Sequence, residues 1–396
     1  MSAKLDILSA QFLFVFFLGL LYPPLPAKSY VILLPVQVLN PRMRIDSLTV
    51  FRFVAALIVV NFHFGKTLFP WPEFFTAGSE MVTFFFVLSG FVMSFSYLQR
   101  ENFNPGRFWA ARFRRIAPAY YVALILSVYT FAANDNFAAL VLCALYLQSW
   151  VPNYALSGNA PGWSLSVEVF FYLTFPAILW AIRRYQVSVL QVCLSAGAVW
   201  LITLVALTWL LRSNWYAAPP AHSHGFVFYF PLSHWSSFLL GIAGGMWFLH
   251  KSTRGSFWLT LLSAFAAGSI YYGINHQGQI QSIFGPGQLQ SGILAPLYLL
   301  FIVSLPQGVE SINRWLSARP LELLGHASYA IYIFQLPLWH VCLEWFPGLV
   351  PHPLIFFGVY LFILIVFSLL FFKYVEAYFS GKIKLPELRT EYIGGS

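Results

Sequence analysis

The sequence predicts an all-α, polytopic transmembrane helical bundle of about ten helices plus one short re-entrant or interfacial segment. Three observations carry this expectation. Of 396 residues, 59% are hydrophobic and only 9% charged, where a soluble domain has roughly a quarter of its residues charged. Charge-free stretches cover 53–65, 81–99, 116–134, 185–211, 213–250 and 345–372, and most reach the ~20 residues that a bilayer span needs. These runs are continuously apolar rather than alternating, which makes them helices in lipid and not strands of an outer-membrane barrel.

Taken in order, helices are expected at 47–65, 77–98, 116–134, 163–182, 187–211, 227–249, 256–274, 289–305, 326–345 and 353–374. The net charge of +9 does not call for nucleic acid, because basic residues in a membrane protein first report topology. Arg100, Arg107, Arg112, Arg114 and Arg115 crowd one short loop, which places that loop in the cytoplasm. Counting outward from it, Arg44, Arg183, Arg184, Lys251, Arg254, Arg314, Arg319 and Lys373 also fall inside, and only Lys66 and Arg212 are left outside. That partition requires 138–150 not to cross, and at 13 residues it is short for a span. The expected location is the inner (plasma) membrane, multi-pass, with both ends of the core cytoplasmic.

The chain divides into an N-terminal extension, 1–42, a membrane domain, 43–380, and a short cytoplasmic tail, 381–396. The extension has an apolar run broken by Pro23, Pro24 and Pro26 and reads as a signal, an extra helix or a start drawn too far upstream of Met43. Cys143, Cys193 and Cys342 lie singly in apolar segments, so neither a disulfide framework nor a metal site is implied. The interruptions 153–162, 217–225 and 275–290 are polar but almost uncharged and share the predicted outer face. A polar, uncharged partner such as a sugar suits such a mouth; plain connecting loops are the alternative.

Charges within spans are the informative residues, because an Arg at a helix centre costs about 2.5–3.5 kcal/mol even on a lenient insertion scale. Arg52 is one such residue, with snorkelling of its side chain toward the cytoplasmic surface as the plainer alternative. His63 lies eleven residues further on, which returns it to within about 20° of the same helix face and about 16 Å along the axis. One face then carries a permanent cation toward the inside and an imidazole toward the outside. Arg holds phosphate groups bidentately, and imidazole can take a proton from an attacking hydroxyl. Glu168, also within a span, needs a partner to offset its desolvation; His63 and Arg52 both qualify. Ser89, beside Gly90, reads as a helix-packing serine rather than a nucleophile.

The segment Arg52-Phe-Val-Ala-Ala-Leu-Ile-Val-Val-Asn-Phe-His63 resembles the Arg, ten residues, His signature of the acyltransferase-3 family of integral membrane acyltransferases. The resemblance continues in family order through Phe85-Phe-Val-Leu-Ser-Gly-Phe91, Arg112-Phe-Arg-Arg-Ile-Ala-Pro118, Gly162-Trp-Ser-Leu-Ser-Val-Glu-Val-Phe-Phe-Tyr172, Phe238-Leu-Leu-Gly241 and Leu324-Gly-His-Ala-Ser-Tyr-Ala-Ile-Tyr332. It implies transfer of an acyl group, with acetyl expected, from cytoplasmic acyl-CoA to a hydroxyl of an extracytoplasmic glycan or lipid-linked saccharide. Carried over by position, His63 is the catalytic base, with Arg52 and Glu168 as its catalytic companions. Arg112 and Arg115, with Arg52, meet the CoA phosphates, and Trp163 and Ser166 are the candidate substrate contacts. Acetyl-CoA is then a co-substrate, and no permanently bound cofactor or metal is expected. The bilayer and polysaccharide-assembly proteins are the other expected partners, and nucleic acid is not. The chain departs from the family pattern at His234, Ser236 and Ser237, where many relatives have Arg and a Pro-Glu pair, and at Gln335, where relatives commonly have His. A proton-coupled transporter or channel using Arg52, His63 and Glu168 is the rival reading, against which stands the lack of inverted repeats.

Overall fold

Among the described residues of the computed structural model, eight helices are long and apolar enough to cross a membrane: α1 (Asp46–Gly65), α2 (Gly78–Tyr97), α3 (Pro105–Ala132), α5 (Ala160–Arg184), α6 (Val189–Arg212), α7 (His222–Lys251), α8 (Phe257–Asn275) and α13 (Pro353–Glu376). Residues 45–132, 135–285, 289 and 291–379 are described, and no strand occurs among them; the extension 1–42 and the tail 381–396 lie outside the described residues. The other helices of seven or more residues are α4 (Phe137–Ala144), α9 (Gln277–Phe284), α10 (Ala295–Gln307), α11 (Glu310–Leu316) and α12 (Arg319–Trp345). The chain is an all-α polytopic bundle.

All ten expected segments are helical, but two differ in kind. The 289–305 segment forms only α10, which turns by 106° into α11, and the pair makes a ninth crossing only if counted as one bent span. Gly292, at φ +88°, lies before α10, and Pro306 and Gly308 close it, so about 20 Å of helix is available. The 326–345 segment lies in α12, which is about 40 Å long but diluted by Glu322, His326, Gln335 and His340, so its composition falls short of the other spans. The short 138–150 segment contains α4, whose eight residues extend about 12 Å against the ~30 Å of a hydrocarbon core.

The arginine-rich stretch before 116 is not a loop. It is the first turns of α3, entered through Asn104, whose side chain accepts a hydrogen bond from Arg107 N at 2.9 Å, with Pro105 in the first turn. Two ties fix this turn. Trp109 Nε1 donates to Tyr172 O on α5 at 2.9 Å, and Tyr329 Oη on α12 donates to Ile116 O at 2.7 Å. Arg112 and Arg115 are therefore carried on rigid helix.

Helices α2 and α7 pack backbone to backbone. A Cβ at Gly90 would run into Phe238 O, one at Gly241 into Val87 O, and one at Gly245 into Ser94 Oγ. Small residues spaced by four let backbones approach this way in lipid. Gly90→Val or Gly241→Val is therefore expected to destabilise the fold by about 1–3 kcal/mol or more. Thermal melting of the detergent-solubilised protein checks this; an unchanged midpoint would mean that the helices separate freely.

Candidate active site

A cavity of about 130 Å³ opens among five helices. Arg52 lines it from α1, Ser89 from α2, Arg112 and Arg115 from α3, Glu168 and Tyr172 from α5, and Tyr329 and Tyr332 from α12. On α2 its lining extends from Met93 to Val82, which is about 16 Å of helix, so the space is elongated along the bundle. Three guanidiniums face one carboxylate, an excess that suits an anionic ligand.

The cations are held differently. Arg112 Nη2 donates to Tyr97 Oη at 3.1 Å, and its guanidinium lies over the rings of Tyr97 and Phe108 at 5.5 and 5.6 Å. Its buried Nε has no hydrogen-bond partner among the described residues. Arg52 is within electrostatic reach of Arg115, Glu168, Tyr172 and Glu376. Among the described residues none of the three arginines is within 4 Å of a carboxylate oxygen, so no ion pair competes with an anionic ligand for them. Glu168 Oε1 accepts from Tyr172 Oη at 2.5 Å and from Ser89 Oγ at 3.3 Å. Ser89 thus faces the cavity and is more than a packing residue.

His63 stands apart from this cavity. It sits in the π-helical last turn of α1, Asn61–Gly65, a distortion common at functional sites. Its Nδ1 is 2.9 Å from Val59 O and 3.0 Å from Gln335 Oε1. Gln335, fully buried on α12, donates through Nε2 to Tyr332 O at 2.8 Å, so its Oε1 is the atom turned to His63. Both neighbours of Nδ1 are acceptors, so Nδ1 carries the proton and the neutral ring's lone pair is on Nε2. His63 as a whole residue is exposed.

Arg52 lines the cavity together with Ser328, Tyr329 and Tyr332 of α12, and His63 is hydrogen-bonded to Gln335 on the same helix. Of the two partners open to Glu168, Arg52 shares its cavity, whereas the imidazole is held by Gln335. Arg112 and Arg115 join Arg52 and Glu168. Trp163 and Ser166 do not line the cavity: the Trp163 ring packs against Tyr229 and His234 with centroids 5.1 and 5.2 Å apart, and Ser166 Oγ donates to Tyr146 O at 2.6 Å. Ser164, two residues before Ser166, lines it instead and shares a 2.8 Å hydrogen bond with Tyr332 Oη. His234 Nε2 is bound to Phe228 O at 2.9 Å. Burial, reinforced by the charge of Asp135, pushes the Cys143 thiol up to about 12, which leaves it unreactive.

Gln335, Tyr172, Ser164, Tyr329 and Tyr332 are among the residues that sequence reasoning left out of the site. The signal for Gln335 was present: an amide within an apolar helix is expensive unless it is fully hydrogen-bonded.

The model of the acyltransferase domain family matches residues 45–373. The chain is 28% identical over 314 residues to the acyltransferase MdmB of Streptomyces mycarofaciens, covering 74% of this chain and 79% of that protein. It is 28% identical over 285 residues to the exopolysaccharide production protein ExoZ of Rhizobium meliloti, covering 67% and 76%. It is 24% identical over 338 residues to the peptidoglycan O-acetyltransferase OatA of Listeria monocytogenes, covering 75% of this chain and 50% of that protein. No solved structure matches.

Proposed function

The chain belongs to the acyltransferase-3 family and is a multi-pass O-acyltransferase, and from that premise we propose that it moves an acyl group, acetyl first, from cytoplasmic acyl-CoA to a hydroxyl of an extracytoplasmic glycan or lipid-linked saccharide. The observation that carries this reading is the elongated cavity with three guanidiniums, whose far end at Tyr332 lies one helical turn of α12 from the Gln335–His63 pair. The positive-inside rule puts the Arg112 end in the cytoplasm, where CoA resides. Its phosphates meet Arg112, Arg115 and Arg52, and the narrow pantetheine arm runs between α2, α5 and α12 toward His63.

His63 Nε2 takes the proton of the acceptor hydroxyl as its oxygen attacks the thioester carbon. The C–S bond breaks, the ester forms, and the imidazolium proton passes to the departing thiolate, which leaves as free CoA. Gln335 and Val59 O hold the ring in the tautomer this step needs. A glycan acceptor is supported by relatives named for exopolysaccharide production and peptidoglycan O-acetylation. Membership of an acyltransferase family displaces the transporter reading.

Proteoliposomes holding the full chain and supplied with acetyl-CoA are expected to release free thiol in proportion to added acceptor, offered as exopolysaccharide or as peptidoglycan fragments. Solute uptake without thiol release, or thiol release indifferent to every saccharide, would overturn the proposal.

A further inference from the structure

A second cavity, of about 190 Å³, opens near His63. It is lined by Phe62 and Lys66 from the end of α1, Ser79 and Glu80 from the start of α2, Glu73 from the loop between them, and Gln277 from the first turn of α9. Glu80 is the unusual member. It is only 5% exposed, and among the described residues no Lys, Arg or His nitrogen lies within 4 Å of it. Its carboxylate accepts from Ser79 Oγ, at 3.2 Å to Oε2, and from its own backbone N–H. A carboxylate withdrawn from water without a cation is costly, and this one has a polar cavity beside it. Lys66, the cation on the same wall, lies 5.0 Å from the Phe62 ring centroid.

Those groups select a ligand class. A carboxylate with free lone pairs takes two adjacent hydroxyl donors. An aromatic ring takes an apolar C–H face, and an ammonium and a carboxamide serve ring and hydroxyl oxygens. A pyranose with vicinal hydroxyls presents all of these at once, whereas a purely cationic ligand would leave Lys66 opposed and a purely anionic one would meet Glu73 and Glu80. The position fits as well. Phe62 is covalently next to His63, and their ring centroids are 5.1 Å apart, so a sugar packed on Phe62 is one ring away from the imidazole. The three-guanidinium cavity does not share these lining residues, so donor and acceptor approach His63 along separate routes.

We propose that this cavity is the acceptor subsite, taking one neutral hexopyranose unit of the glycan, with Glu80 accepting hydrogen bonds from two neighbouring hydroxyls. This rests on the reading of His63 as the transfer base and adds where the acceptor is recognised. The test is saturation-transfer NMR on the detergent-solubilised full chain with methyl glucoside, galactoside, mannoside and the methyl glycoside of glucosamine as probes. At least one neutral glycoside is expected to bind, with affinity about 10- to 100-fold weaker in Glu80→Ala and retained in His63→Ala. Acetyl-CoA binding should be unchanged in Glu80→Ala, which verifies folding; should that variant not fold, Glu80→Gln and Lys66→Ala give the same comparison. Binding of only the glucosamine glycoside would mean a cation site and overturn the neutral-sugar assignment, as would neutral-glycoside signals indifferent to Glu80. Because binding is read without turnover, Glu80-dependent binding in a protein that releases no CoA would sink the transfer reading and leave the saccharide site standing.

Discussion

His63→Ala is expected to lower acyl transfer by about 10²- to 10⁴-fold while acyl-CoA binding persists, because the arginines proposed to meet the donor line a cavity from which His63 stands apart. Nδ1 faces two carbonyl oxygens, so only Nε2 can receive a proton. The amide of Gln335 cannot turn over to offer its NH₂ instead, since that would set its oxygen against Tyr332 O, to which Nε2 now donates. The pair therefore predicts a pH signature. In its proposed role His63 works neutral, so transfer is expected to be lost as pH falls and imidazole becomes protonated. In Gln335→Glu a carboxylate beside Nδ1–H favours the imidazolium, and the acid limb of kcat is expected to move to higher pH, with activity recovered above it. Gln335→Leu removes the acceptor and should lower kcat about tenfold or more with KM for acyl-CoA unchanged. A His63→Ala protein with full transfer at normal expression would end the assignment of the base. An unmoved pH profile in Gln335→Glu would end the positioning role of Gln335.

The spans were legible because apolar length is a composition property that needs no tertiary information. The helical start of α3 was not, since its arginines give a hydropathy trace like that of a loop; the local signal was Asn104 followed by Pro105, a cap and a first-turn proline. The bend between α10 and α11 had its markers in Pro306 and Gly308. Which side chains share the site was harder. Ser164 and Ser166 stand in one motif, but two residues rotate a helix by about 200°, so one lines the cavity while the other ties α5 to Tyr146. The His63–Gln335 contact joins residues 272 apart in sequence, and no local pattern announces such a pairing. The arrangement of Arg52 and His63 on one side of α1 was readable from helical periodicity, whereas the partner of Glu168 depended on how α2 and α5 pack.

Arg52→Gln is expected to reduce kcat/KM for acyl-CoA by about 10- to 100-fold, the worth of a charge-assisted hydrogen bond to phosphate. Glu168→Gln should act on the same quantity by a different route. Arg52 and Arg115 lie within electrostatic reach of one another, and Glu168, fixed by Tyr172 and Ser89, is the carboxylate on the cavity wall that offsets their repulsion. Without it the guanidiniums are expected to spread, and the wall proposed to receive the phosphates to lose its shape before any ligand arrives. Once Arg52 is gone the need for that compensation falls, so the double variant should be less impaired than the two single effects combined. The cycle over the four proteins is expected to show a coupling of about 0.5–3 kcal/mol in kcat/KM for acyl-CoA. Additivity within about 0.5 kcal/mol would separate Glu168 from Arg52. A second cycle pairing Glu168→Gln with His63→Ala tests the alternative allegiance: coupling there, and not with Arg52, would make the carboxylate a companion of the imidazole, at odds with the hydrogen bonds that hold His63 to Gln335.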